Sequence, residues 1–286
     1  MDKAIIGQLE EISALLSAVG RGEGLDSLGQ TLPGFSSQLY EWAMAVAENI
    51  MMPVAMSVLA LFFMLELHSQ ATRAQNAGAG EAFAAELVFK TLFKAALCKE
   101  ALGMAPRLME GIYNASALVT KAIMGQSAAA AAFSAAVSAS GIKPVIDDMD
   151  LFSQLMALMA CWLVKLAAWS ASILANIIII GRLAEIYLMV ALSPLPMATF
   201  PNSEMSQIGK SFLKGFAALC AQGAAVFLSL SFYPVLAGPI IEKTVEIGSP
   251  GDLNAALGQL LMCSALFIAM VASSRKFANA LFGLGQ

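Results

Sequence analysis

The chain has 286 residues, 59% of them hydrophobic and only 13% charged, with a mean hydropathy of +0.75; soluble domains carry about 25% charged residues. That composition excludes a soluble globular protein. Sixteen basic against twenty acidic side chains leave a net charge of -4, which also excludes a surface built to neutralise nucleic-acid phosphates.

The N-terminal segment does not read as a secretory signal, because Asp2, Glu10 and Glu11 replace a basic n-region and no apolar h-region follows. Ile5, Leu9, Ile12, Leu16 and Val19 fall at three-to-four spacing and predict an amphipathic helix ending at Gly20. It either lies on the membrane or docks a partner. Residues 22–35, rich in Gly, Ser and Pro, read as a flexible linker that completes an extracytoplasmic segment 1–41.

A helix needs about 20 apolar residues to cross a bilayer. The charge-free run Asn49–Leu65 predicts a first span over 42–68, with Glu48, Asn49, Glu66 and His68 as interface anchors. Residues 69–124 read as a cytoplasmic or interfacial stretch followed by a charged second crossing. It carries Lys90, Lys94, Lys99, Glu100, Arg107 and Glu110, with Pro106 in its middle, and needs shielding by partners or snorkelling. An Ala/Ser-rich and acidic loop, 125–150, follows. Residues 151–200 are apolar except for Lys165, Arg182 and Glu185 and predict one long helix, stopped by Ser193-Pro194-Leu195-Pro196. A hairpin at Gly181 is the alternative, with six spans instead of five. After a basic connector, 201–214, come spans at 215–241 and 253–274, separated by loop 242–252 and followed by tail 275–286.

Basic residues flank cytoplasmic loops. Lys210 and Lys214 before one span, and Arg275 and Lys276 after the last, place those segments inside; the acidic Asp147–Asp150 cluster and the N-terminal 41 residues belong outside. The fold class is therefore all-α, a polytopic helical membrane protein with about five spans, N-out and C-in.

On one long helix Gln154, Lys165, Ser172 and Asn176 share a stripe, with Trp162 and Trp169 flanking Lys165. The stripe either packs against sister helices or lines a watery path. Arg182 and Glu185, three apart on another side, read as an ion pair. Ala217, Ala221, Ala225 and Ser229 form a small-residue ridge suited to close helix packing. Pro194, Pro196 and Pro201 form a break that exposes backbone at the cytoplasmic mouth. Lys210 and Lys214 beside it are either plain positive-inside anchors or contacts for an ATPase or a DNA phosphate.

His68 and the cysteines Cys98, Cys161, Cys220 and Cys263 have no metal-ligand spacing. No phosphate-cradling loop or nucleophile elbow occurs either, so neither catalytic residues nor cofactors are expected.

The stretch Gly181-Arg182-Leu183-Ala184-Glu185-Ile186-Tyr187-Leu188-Met189-Val190-Ala191-Leu192-Ser193-Pro194-Leu195-Pro196-Met197-Ala198-Thr199-Phe200, followed by Gln207-Ile208-Gly209-Lys210-Ser211-Phe212-Leu213-Lys214-Gly215-Phe216, resembles the TrbL-like polytopic membrane subunit of type IV secretion systems. The resemblance is closest to the shorter form of Gram-positive conjugative elements; it is specific over residues 151–238 and topological elsewhere. It implies a noncatalytic channel or pilus-assembly platform subunit in a bacterial cell (inner) membrane, forming a homo-oligomer. Implied partners are other secretion membrane subunits, cytoplasmic ATPases and pilin, with relaxase-bound single-stranded DNA as cargo. The chain departs from longer members in stopping at Gln286, without their soluble C-terminal domain. The competing reading is a secondary transporter or small-solute channel, against which stands the single broken segment near a membrane face.

Overall fold

A computed structural model describes residues 7, 11, 29–76, 81–126, 151–245 and 250–284. Every regular element among them is helical: α1 (Leu32–Phe35), α2 (Ser37–Ala45), a π turn (Val46–Met51), α3 (Met52–Asn76), α4 (Glu81–Gly103), α5 (Ala105–Gln126), α6 (Leu151–Leu192), α7 (Pro194–Met197), α8 (Ser206–Val245) and α9 (Pro250–Leu281). Four stretches among the described residues are long and apolar enough to cross a membrane: Ser37–Asn76, Leu158–Leu192, Ser206–Ser229 and Leu261–Leu281. The protein is a polytopic helical membrane protein. Its exterior agrees, with Leu61, Met64, Phe89, Leu163, Leu166 and Ile180 all exposed, a surface that lipid solvates and water does not.

The first long helix starts earlier than its charge-free run, because Ser36 caps it through Oγ, which accepts the Leu39 N–H at 3.3 Å. Pro53 then shapes it. Lacking an N–H, Pro53 cannot bond the carbonyl of Asn49, and its ring crowds that carbonyl. The helix widens just ahead of it into the π turn, where the Met52 N–H reaches the Ala47 carbonyl.

The charged stretch expected to be one crossing divides into α4 and α5 at Met104, and neither is among the four apolar stretches. Pro106 is the reason: it occupies the second position of α5, and it disfavours the helical conformation of the residue before it. Some of the charges find partners. Glu86 pairs with Lys90 at 2.7 Å along the exposed side of α4, and Glu110 Oε2 accepts the Tyr40 hydroxyl at 2.9 Å.

Helix α6 runs unbroken through Gly181 for 42 residues, about 63 Å at roughly 1.5 Å per residue, with no hairpin. It exceeds a hydrocarbon core of about 30 Å.

The chain forms two compact units, and four of the five divisions between them fall inside helices. One comprises residues 30–117, 182–221 and 279–286. Its core joins Leu32, Leu102, Met109 and Tyr113 to Leu183, Ile186, Tyr187, Val190 and Phe216. On α6 the buried positions recur as 182/183, 186/187 and 190/191, one stripe of a 3.6-residue period. Residues 30–35, within the expected flexible linker, belong to this core. Leu32 is fully buried, its carbonyl accepts the Tyr187 hydroxyl at 2.7 Å, and the Gln30 carbonyl accepts the Tyr113 hydroxyl at 3.1 Å. Pro33 at the start of α1 further restricts the chain there.

The other unit comprises residues 1–29, 118–181 and 222–278. Its buried positions include Cys161, Val164 and Ala168 on α6, and Cys263, Phe267, Val271 and Ser274 on α9. Their three-to-four spacing again marks one face of each helix. Of the expected N-terminal amphipathic helix only Gly7 and Glu11 are described; the Ala/Ser-rich loop 127–150 lies outside the described residues.

Candidate functional site

The polar groups of the 30–117/182–221 unit gather at two places. The first is Arg182, the opening residue of the buried α6 stripe and only 4% exposed. Its Nε donates to the Leu219 carbonyl and its Nη2 to the Cys220 carbonyl, each at 3.0 Å. Ser116 Oγ on α5 also donates to the Cys220 carbonyl, at 2.6 Å. Three helices thus meet on two adjacent carbonyls of α8. Nη1 is buried without a hydrogen-bond partner among the described residues, as is Asn114 Oδ1. The spacing to Glu185 suggested an ion pair; the structure commits two of the three guanidinium nitrogens to main-chain carbonyls 37 and 38 residues away. Glu185 is half-buried.

The second place is the turn after α6. Pro194 supplies no N–H to the Val190 carbonyl. Ser193 fills the gap, donating to that carbonyl through its N–H at 3.2 Å and its Oγ at 2.8 Å. The Pro196 carbonyl likewise accepts Thr199 Oγ1 at 2.8 Å. The long helix ends before Pro194, and the Val190 and Pro196 carbonyls are bonded locally, as a buried turn demands; Pro194 and Pro201, two of the three prolines of the expected break with Pro196, are buried. Asn202 then caps the turn that leads into α8: its Oδ1 accepts the N–H groups of Glu204 at 2.9 Å and Met205 at 3.0 Å.

Glu66 ties this turn to α3. Read from sequence as an interface anchor, it is 3% exposed, and its Oε2 accepts the Ser203 N–H at 2.9 Å and Ser203 Oγ at 3.2 Å. Gln70 Nε2 donates to Oε1 at 2.9 Å, and Lys94 on α4 lies within electrostatic reach. A signal for this role was present: Glu66 continues the buried stripe of Ala55 and Leu59 seven residues on. Helix α7 packs against α3, α4 and the π turn, so one carboxylate anchors a turn already held by apolar contacts. Glu66→Ala should free residues 202–205, raising protease cleavage there about ten-fold for roughly 1.5 kcal/mol of lost anchoring. Glu66→Gln, which keeps one acceptor, should lie between that variant and the native chain. Equal cleavage in all three would show that the carboxylate does not hold the turn.

Of the other expected residues, Lys210 and Lys214 are exposed on the first turns of α8. Ala217, Ala221, Ala225 and Ser229 are each half-buried, at the margin of a buried face that includes Phe216, Leu219, Cys220 and Val226. Ser229 Oγ donates back to the Ala225 carbonyl at 2.9 Å. In the other unit Lys165 is partly buried, its ammonium 5.3 Å from the centre of the Trp162 ring and paired with Glu11. Asn176 is exposed and donates through Nδ2 to the Ser172 carbonyl at 3.1 Å. Gln154 lies on α6, but its side chain is outside the described residues.

Residues 22–194 match the family described as TrbL/VirB6 plasmid conjugal transfer like protein. The chain belongs to this family. The match contains Glu66, Tyr113, Arg182 and Tyr187 and ends at Pro194, where α7 begins. The segment Gln207–Phe216, part of the resemblance seen in sequence, lies beyond it. Neither the curated proteins nor the solved structures contain a significant match to this chain. As a TrbL/VirB6 family member the protein is a conjugal transfer subunit of a type IV secretion system, and its apolar helices make it a membrane protein.

Proposed function

We propose that this subunit is a noncatalytic channel or pilus-assembly platform in the bacterial cell (inner) membrane, supporting conjugative export of relaxase-bound single-stranded DNA. The observation that carries this reading is the family match over residues 22–194 on a chain whose long helices are apolar on the outside. The basic ends flanking the last two spans support a C-in topology; five spans with the N-terminus outside follow when the charged α4–α5 stretch crosses in addition to the four apolar ones. In this reading the turn after α6, with exposed Lys210 and Lys214, is on the cytoplasmic side, where secretion ATPases act. Other membrane subunits and pilin are the remaining partners. The half-buried ridge from Ala217 to Ser229 suits further helix packing, including between copies of the chain.

The test is mating frequency in an in-frame deletion, complemented by the intact chain. Deletion should lower transfer below detection and complementation should restore it, with membrane levels checked by blotting. Unchanged transfer together with altered uptake or efflux of a solute would replace this reading with a transporter. Lys210→Ala with Lys214→Ala then separates contact from anchoring: as ATPase contacts the two lysines are needed for transfer at normal membrane level and orientation.

A further inference from the structure

Lys165 lies within the apolar stretch Leu158–Leu192, and its surroundings are lopsided. Cys161, Val164 and Ala168 face inward and are buried, whereas Trp162, Leu163, Leu166 and Trp169 are exposed. Lys165 sits at the border of the two faces, with 27% of its side chain exposed, and the side chain of Glu11 beside it is 61% exposed on the outer, lipid-facing side. Its ammonium rests over the Trp162 ring and pairs with the carboxylate of Glu11, 154 residues earlier.

A lone lysine at the centre of a spanning helix is strongly disfavoured, and a lone carboxylate comparably so. Two such charges in contact neutralise one another, and in a medium of low dielectric constant their attraction is strong and unscreened. Neither group has a comparable reason to stay in contact at a water-exposed surface, where an ion pair contributes little.

We propose that Glu11 and Lys165 form a membrane-embedded latch that ties the N-terminal part of the chain to the long helix. The first partner of Lys165 in the polar stripe is therefore this chain's own Glu11. This inference does not depend on the secretion reading, and its test uses no transfer assay.

The full chain in its native membrane is used. In one arm, Glu11→Lys and Lys165→Glu are made singly and together, and membrane level is measured against the native chain. Each single reversal places two like charges together and should lower the level about three-fold or more, as a loss of 1–2 kcal/mol does for a marginal protein; the double reversal should restore most of it. Single reversals without effect, or a double as depleted as the worse single, overturn the latch. In the second arm, Glu11→Cys and Lys165→Cys are combined with Cys98→Ser, the other cysteines being buried, and a protease site is inserted between residues 140 and 141. A short bismaleimide should keep the two fragments joined after cleavage. Fragments that separate although both thiols react with a monofunctional maleimide overturn it equally.

Discussion

Arg182→Lys should destabilise the protein by about 2 kcal/mol, whereas Arg182→Met should stay within about 1 kcal/mol of the native chain. The order reverses what charge conservation suggests. The guanidinium reaches two successive carbonyls, those of Leu219 and Cys220, because its Nε and Nη2 are held in a rigid fork. A lysine ammonium is a single point on a flexible stem; at this site it keeps the cost of a buried charge and loses one of the two contacts. Methionine keeps most of the volume and removes the charge, together with the buried Nη1 donor that has no hydrogen-bond partner among the described residues. The Leu219 and Cys220 carbonyls lie inside α8, where the helix's own N–H groups continue to serve them. Heat-unfolding midpoints of the purified chain in detergent measure the difference. A lysine variant as stable as the native protein would refute the forked clamp. Transfer frequency of the methionine variant then reads what the charge itself does: if Arg182 only fastens α6 to α8, transfer stays near normal.

Arg182 also shows what the sequence could and could not reveal. The length of α6 and its end at Leu192 were legible, because an uninterrupted apolar run and a Ser-Pro-x-Pro stop are local properties of the chain. The buried side of its last turns was legible in principle, since 182/183, 186/187 and 190/191 repeat with the helical period. Its carbonyl partners were not. Glu185 was the acidic residue at helical spacing, whereas two of the guanidinium nitrogens bond main-chain carbonyls on another helix, and every residue has one of those. Glu66 and Ser203 meet across 137 residues for the same reason. Residues 30–35 were misread because Gly, Ser and Pro report local freedom, while the order there comes from the hydroxyls of Tyr113 and Tyr187, 83 and 155 residues further on. Pro53 and Pro106 both lie within helical stretches, yet one produced a π turn inside a continuing helix and the other a new helix. Their flanks decide between these outcomes: α4 ends on Gly103, with Met104 as a turn before α5, whereas Pro53 follows a run of good helix formers.

Gly209 and Gly215 lie on the same helix, and changing each to alanine should move stability in opposite directions. In an open helical position alanine is favoured over glycine by roughly 0.8–1 kcal/mol, and Gly215 is such a position: an added Cβ there meets nothing within 4 Å. At Gly209 the added Cβ would stand 2.9 Å from the Pro196 carbonyl oxygen and 3.0 and 3.1 Å from two carbons of the Phe200 ring. The carbonyl is main chain, held in the turn by the Thr199 hydroxyl, and it cannot swing aside as a side chain does. Overpacking of this kind costs about 1–3 kcal/mol, which outweighs the gain in helix propensity. Gly209→Ala should therefore lower the unfolding midpoint and Gly215→Ala should raise it, each by a few degrees. The functional consequence follows from what the turn touches. Helix α7 rests on α3, α4 and the π turn, and Asn202 and Glu66 fasten the residues just after it, so a displaced Pro196 disturbs the seat of the α6–α8 connection while leaving every charged side chain in place. If this seat is needed for export, transfer in the Gly209→Ala strain should fall at normal membrane level, and the Gly215→Ala strain should transfer like the parent. Equal transfer in both, with Gly209→Ala less stable, would confine the close approach at Gly209 to packing.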